Sequence, residues 1–495
     1  NNNCKIMALI IEQHPYYNLL AVGQDIVFTV SDNTVVATKF DVRFTASLYV
    51  NDSNASIATT INKIADLSVT PNNKGVGIFS LQSILESYVN PQQEGQDFDG
   101  VILSEFKTVD YSLNTPHPIH LIDKYCLNRN VTNYFQIGFN IEYYDTADAN
   151  SRTSFLKELL SEPYLIYNGV LDYDAPLVLN RGNYGFNLNV PKLVLNDYYG
   201  SLGKFLSNAP IEQDARITDY GTLSFFNFLN LSDTGFQVGT DTSVIPKVYY
   251  IDVIVYDSSG TQLLTIQIES NKINGGLGLA NSSAHSRLLF FGAFPANIYN
   301  WSSAFRATST SGNLSYYTLQ AYDDTNTVIS QLYKINVIDN PCGGYEAIRL
   351  TWLNPYGVWD YYTFNKKSVK SLQTNRNNYT QLGGTWNDSK FRIYGYKGGK
   401  KNFRVNTKQL ITVNTDFLLE SDAVWFEDLI NSTEVYVLNG YNDSVQDTRS
   451  GITNKYVEPV TVTTSNYTRK TKANDKLIQY TFELEKTHNK RTQAV

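Results

Sequence analysis

The chain has 495 residues, a net charge of −7 and only 18% charged residues against 13% aromatic ones, 36 of these being tyrosine. At roughly 100–200 residues per domain this length makes two to four domains, each able to bury a full-sized core. The acidic balance, with a pI near 5.4, excludes a generally nucleic-acid-binding surface, which needs clustered Lys and Arg, so nucleic acid is not an expected partner. Many aromatic and few charged residues predict a mainly β protein: tandem antiparallel β-sandwich domains with a few short helices, surfaced by Asn, Ser and Thr.

The single methionine, Met7, is either the true start or marks residues 1–6 as the remnant of a longer precursor. A first β-sandwich domain is expected over 7–150. In it, Phe40, Val42, Phe44, Ala46, Leu48 and Val50 alternate with polar neighbours, the pattern of a strand with one wet face. Residues 134–144 repeat it with Phe135, Ile137, Phe139, Ile141 and Tyr143. Between them, 80–89 reads as a short helix capped by Ser80, with Leu81, Ile84, Leu85 and Tyr88 on one face. Phe155, Leu156, Leu159 and Leu160 stand at helical spacing, which predicts a linker helix over 151–163.

One or more central β-sandwich domains are expected over 164–370. Strands at 248–256 and 262–268 flank Asp257-Ser258-Ser259-Gly260, and strands at 316–322 and 328–338 flank Asp323-Asp324-Thr325-Asn326. The stretch 348–364 is read as a hairpin turning at Asn354-Pro355-Tyr356-Gly357, a type I turn by its residues. A C-terminal β-domain, 371–495, holds strands at 391–396 and 403–415 around a Lys/Gly turn, and a helix over 421–430 with Ser421 as cap. Three further strands, at 434–438, 457–464 and 477–485, complete it.

Chemistry is sparse. Three distant cysteines, Cys4, Cys126 and Cys342, give neither a disulfide framework nor a zinc pattern. His117-Pro118-Ile119-His120 with Asp123 could offer two imidazoles and a carboxylate to a metal, but Pro118 blocks the helix that would align them, and a strand would send them to opposite faces. Asp97 and Asp99 beside Gly100 are a weak calcium hint. Gly276-Leu277-Gly278 is half of a dinucleotide fingerprint, without its helix. Lys397, Lys400 and Lys401, and separately Arg469, Lys470 and Lys472, read as solvated turns. Neither an enzymatic activity nor a cofactor is expected. Sequons such as Asn51, Asn130, Asn230 and Asn466 are the product of an Asn-rich composition, and no stretch has the length of a membrane span, so the chain reads as soluble with no membrane partner.

Several stretches resemble virion structural proteins of tailed bacteriophages, of environmental or Bacteroidota-infecting type: residues 15–26, 70–79 and 117–125 near the start, and 349–364 and 417–437 in the last third. The resemblance implies a tail, baseplate or neck component located in the virion, a homo-oligomer whose partners are other virion structural proteins. On this view Trp352, Trp359, Trp425, Ile478, Tyr480 and Phe482 are candidates for interface or packing. An alternative is a receptor- or carbohydrate-binding module in which Trp301, Trp352 or Trp386 stacks on host-surface glycan. A depolymerising enzyme would need clustered carboxylates in a groove.

Overall fold

A computed structural model describes residues 9–15, 19–53, 56–90, 125–127, 131–154, 158–170, 204–226, 248–269, 284, 287–323, 325–338, 345–438, 457–468, 478–488 and 490–491. It is mainly β, with several sheets and few short helices. Two compact units make it up, the first Asn1–Asp339 with Leu353–Asp360 and Gly440–Asn454, the second Asn340–Trp352, Tyr361–Asn439 and Lys455–Val495. The metal-hint residues Asp97, Asp99, His117, His120 and Asp123, and the Gly276 stretch, fall outside the described residues, as do Cys4, Cys342 and the 469–472 basic run.

In the first unit a seven-stranded sheet is built on β1 (Phe40–Asn51), β2 (Lys63–Val69), β3 (Thr132–Tyr144) and β4 (Tyr164–Tyr167), with Leu19–Ala21 at one edge. The alternation read from sequence is the cause: Val42, Phe44, Ala46 and Leu48 of β1 and Phe135, Ile137, Phe139 and Ile141 of β3 are all buried on one face. A three-stranded sheet of Ile10–Gln13, Val27–Ser31 and Val76–Ser80 covers that face. Phe28 of the small sheet meets Phe139 and Tyr164 of the large one at ring distances of 5.8 and 5.6 Å, so the two sheets form a sandwich. The helix expected over 80–89 is shorter, Gln82–Leu85 followed by one 3-10 turn, and begins at Leu81 without a side-chain cap. Leu81 and Leu85 are buried in the sandwich core.

The linker helix expected over 151–163 is overturned. Thr153–Ser154 and Leu159–Leu160 are short strands pairing with β3, and Leu159 stands opposite Phe139. Pairing to an available sheet edge outweighs a helical spacing of four apolar residues with no tertiary support.

A second sandwich in the same unit uses β5 (Tyr250–Tyr256), β6 (Gln262–Glu269), β7 (Tyr316–Tyr322) and β8 (Tyr333–Val337), with Glu212–Ala215 added in parallel to β8. Facing it is a three-stranded sheet of Thr222–Phe226, Leu288–Gly292 and Tyr125–Leu127. Phe205 bridges the layers, 4.8 Å from the Tyr333 ring and 5.2 Å from that of Phe291.

The second unit is one eight-stranded sheet. Seven strands follow the order β10 (Trp359–Phe364), β9 (Ile348–Leu353), β13 (Val435–Leu438), β14 (Val457–Val462), β15 (Thr481–Lys486), β12 (Gly399–Asn414) and β11 (Val369–Gln381), and Lys490–Arg491 pairs with β12 beside this path. A helix, α1 (Ala423–Asn431), packs on the sheet after a 3-10 turn. The N-cap of α1 is Asp422 and not the Ser421 expected there; its carboxylate makes no cap bond to α1 and accepts instead from the Leu419 N–H at the start of the 3-10 turn.

Four loops share one turn, three of them in hairpins and the fourth, at Asn72, between strands of different sheets. Asn72, Asp257, Asp323 and Asn354 each donate a backbone N–H to the carbonyl four residues on, and each accepts at its own carbonyl from the N–H three residues on. Each side chain also accepts the N–H groups at the second and fourth following residues, at 2.8–3.3 Å. The residue three places on, Gly75, Gly260, Asn326 or Gly357, has φ between 62° and 81°. This is a type I turn closed by a left-handed residue, which explains an Asx at the start and Gly or Asn at the fourth place.

Candidate interaction surface

The six residues expected at an interface or in packing are all buried within the chain. Trp352, Trp425, Ile478, Tyr480 and Phe482 are at most 4% exposed, and Trp359 is 9% exposed. In the second unit Trp352, Trp425, Tyr480 and Phe482 belong to an aromatic core, while Trp359 lies in the first unit. Trp352 lies 5.2 Å from Trp425, Tyr362 stands edge-on to Phe426 at 5.1 Å, and Phe426 stacks on Phe482 at 5.6 Å. Helix α1 supplies Trp425, Phe426 and Leu429 to it, the i,i+4 spacing of Trp425 and Leu429 placing both on its buried face. Burial removes Trp352 as a sugar-stacking platform, since no face of its ring is open to a ligand. The side chain of Trp301 is outside the described residues, while Trp386 is 83% exposed.

Trp386 sits at the end of a long arm. Strands β11 and β12 pair antiparallel from Val369↔Thr412 to Gln381↔Gly399, with one bulge near Asn377. β12 also pairs with β15 over Leu410–Asn414 and with Lys490–Arg491 at Thr407 and Asn406. Beyond Asn406 the two strands continue as a bare ribbon. β11 is 13 residues long, a reach of about 40 Å at the usual rise per residue. Its sequence, with Asn, Gln, Thr or Ser at eight of 13 places, offers no continuous apolar face to bury, and its first ten positions are all exposed. β11 also ends the sheet, so its outer backbone groups have no strand partner among the described residues.

The strand expected over 391–396 is instead the tip of this arm, touching Gly384 through one bridge at Ile393. Thr385 N–H donates to the Arg392 carbonyl at 3.1 Å, and Tyr394 N–H to Gly383 at 3.3 Å. Gly384 is required there because the Phe391 ring lies where a Cβ would stand. The result presents Leu382, Trp386, Phe391, Ile393 and Tyr396 to solvent, each at least 60% exposed. Lys397 lies over Tyr394 at 5.4 Å.

Charge separates the arm from the rest. Residues 369–414 hold nine Lys and Arg and one acid, Asp388, for a net +8; the whole chain carries −7, so the remainder carries −15. The lysines read from sequence as a solvated turn are thus the end of a longer basic stretch. Lys370 and Lys408 are paired at the root, to Glu346 at 2.6 Å and Glu485 at 3.0 Å. Arg376, Lys390, Lys400 and Lys401 have no carboxylate partner among the described residues. A running charge count along the sequence would have found this arm; an average over the chain hides it.

Two other places were candidates for chemistry. In the second unit a cleft of about 320 Å³ opens between Ile348, Leu372, Leu410 and Leu438, rimmed by the ion pairs Lys370–Glu346 and Lys486–Glu458, both 2.6 Å. On the outer face of the first sheet, Glu158 accepts from Ser47 Oγ at 2.8 Å and Tyr49 OH at 2.7 Å. Burial and then this carboxylate push the Tyr49 hydroxyl pKa up, so the contact holds the proton and ties the Leu159–Leu160 strand to the sheet. His14 contacts the Tyr164 hydroxyl at 3.2 Å, and His488 is exposed. No group of three or more metal-ligating side chains occurs among the described residues, and no helix there is long and apolar enough to cross a membrane.

No family model matches the chain, and no curated protein matches it. Among solved structures, one that is similar is the native conformation of E. coli alpha-2-macroglobulin, at 8% identity and a TM-score of 0.19. The match covers 82% of this chain, which spans 21% of that one.

Proposed function

We propose that the chain is a structural component of a particle, a tailed-phage virion by the resemblance of 15–26, 70–79, 117–125, 349–364 and 417–437, placed in its tail, baseplate or neck. It works by assembly and not by catalysis, binding its own copies and other virion proteins through β-interfaces. The observation that carries this reading is the arm of β11 and β12: a two-stranded ribbon with both faces wet is marginal by itself, and a free edge strand is an asset only where a neighbour covers it. Mass by light scattering across a concentration series, followed by electron microscopy, tests it. A defined oligomer or ring is expected; a monomer at every concentration with no affinity for particles removes the reading.

A second reading, the glycan-binding module, rests on Trp386 alone, whose open ring stands beside Asn387 and Asp388. Aromatic faces stack on sugars and such polar groups bond hydroxyls. A glycan array blank at millimolar concentration would dismiss it.

A further inference from the structure

We propose that the basic arm of one copy docks on the acidic surface around α1 of a second copy, a head-to-tail contact that deepens the assembly reading above and rests on it. The acceptor is in the second unit. From Thr415 to Leu438 there are six acidic residues and no Lys or Arg, opposite in sign to the arm. Glu420 is exposed and Glu427 half-buried at the surface of α1 and its leading turn. Between these charges three apolar side chains face water: Phe417 at 61%, Leu419 at 51% and Val424 at 42% exposure. The arm tip carries the complement, Lys390, Lys397 and Lys400 among exposed Trp386, Phe391 and Ile393. Apolar centres ringed by opposite charges are what a protein interface of defined register needs.

Nucleic acid is the weaker occupant. Cross-strand partners share a face of the ribbon, so the register puts Arg376 and Lys400 on one side and Lys401, Arg404 and Lys408 on the other. A phosphate backbone is held by one continuous positive groove, and cations split between two faces do not make one. The net −15 of the remaining chain would also repel a polyanion and attract the arm.

The contact is heterologous, arm to patch, which dictates the test. The full-length chain is compared with an arm variant, Arg376→Glu with Lys390→Glu and Lys400→Glu, and a patch variant, Glu420→Lys with Glu427→Lys. All are checked for unchanged thermal unfolding and measured by analytical ultracentrifugation. Each variant alone is expected to weaken self-association by at least about tenfold. Mixing the two restores assembly with the variants alternating, because the native contact and its charge-reversed counterpart are both complementary, and combining both reversals in one chain does the same. If the wild type assembles and neither variant weakens it, this contact is wrong while the assembly reading stands. If the wild type is monomeric throughout, both fall. If the arm variant loses binding to single-stranded DNA or to phosphatidylserine vesicles while self-association is unchanged, the arm serves a polyanion or a membrane and the proposal is overturned.

Discussion

The two ends of the eight-stranded sheet use the same residue types to opposite effect. At its root Trp352, Trp425, Phe426 and Phe482 are buried against one another; at its outer end Trp386, Phe391, Ile393 and Tyr396 stand in water. The root strands have α1 across one face, and the ribbon beyond Asn406 has no second layer among the described residues. Aromatic content therefore says that a surface wants covering, and the neighbouring elements decide whether the chain covers it itself.

The comparison breaks most sharply under alanine. Trp425→Ala empties a packed site and is expected to lose about 3–5 kcal/mol of stability, whereas Trp386→Ala should stay within about 0.5 kcal/mol. Denaturant unfolding of the two variants checks this, and a large loss from Trp386 would mean the arm tip is packed after all. Glycines give the next contrast. Gly357 has a φ of 73°, and a Cβ there would overlap the Asn168 carbonyl, so Gly357→Ala should cost more than about 1 kcal/mol in the same assay. Gly384→Ala meets the Phe391 ring and the Arg392 carbonyl, the latter at 2.7 Å, so it should disturb the arm tip locally, yet the exposed tip has little to lose to global unfolding, which should stay nearly unchanged.

Salt sharpens the comparison further. Raising ionic strength shortens the screening length from about 10 Å at 0.1 M to about 3 Å at 1 M. Association driven by the arm should weaken across that range while the unfolding of the aromatic core does not, as paired sedimentation and calorimetry would show. The smallest effect is protonic. Burial raises the Asp252 carboxyl on β5 above its ordinary range, whereas the hydrogen-bonded Lys334 holds Glu212 below it. A raised carboxyl favours folding at low pH and loses that contribution as pH climbs through its folded value. Asp252→Asn should therefore raise Tm slightly at neutral pH and not in acid; Glu212→Gln should lower it slightly at neutral pH.

Much of the core was legible in the sequence. Alternation marks β1 and β3 because one face of each is buried, and the Asx-to-Gly spacing marks the hairpins because the turn needs both residues. The arm was not legible by the same signals. Its outer strands bury no face, so they carry no periodicity, and its charge vanishes when averaged with an acidic remainder. Nor could the sequence tell Trp352 from Trp386 as an open stacking face, since burial depends on whether a helix crosses the strand. The linker helix failed for a related reason: Leu159 and Leu160 found a strand to pair with.

The shared turn sets a timetable. The loops at Asp257, Asp323 and Asn354 each join paired strands through a few residues and fix their own register by side-chain bonds to the backbone, so these hairpins can close locally, in about 1–10 μs. The eight-stranded sheet instead waits for Leu410 to find Glu485 and Arg349 to find Leu438 across long stretches of chain. Until then the aromatic core of the second unit is exposed to solvent.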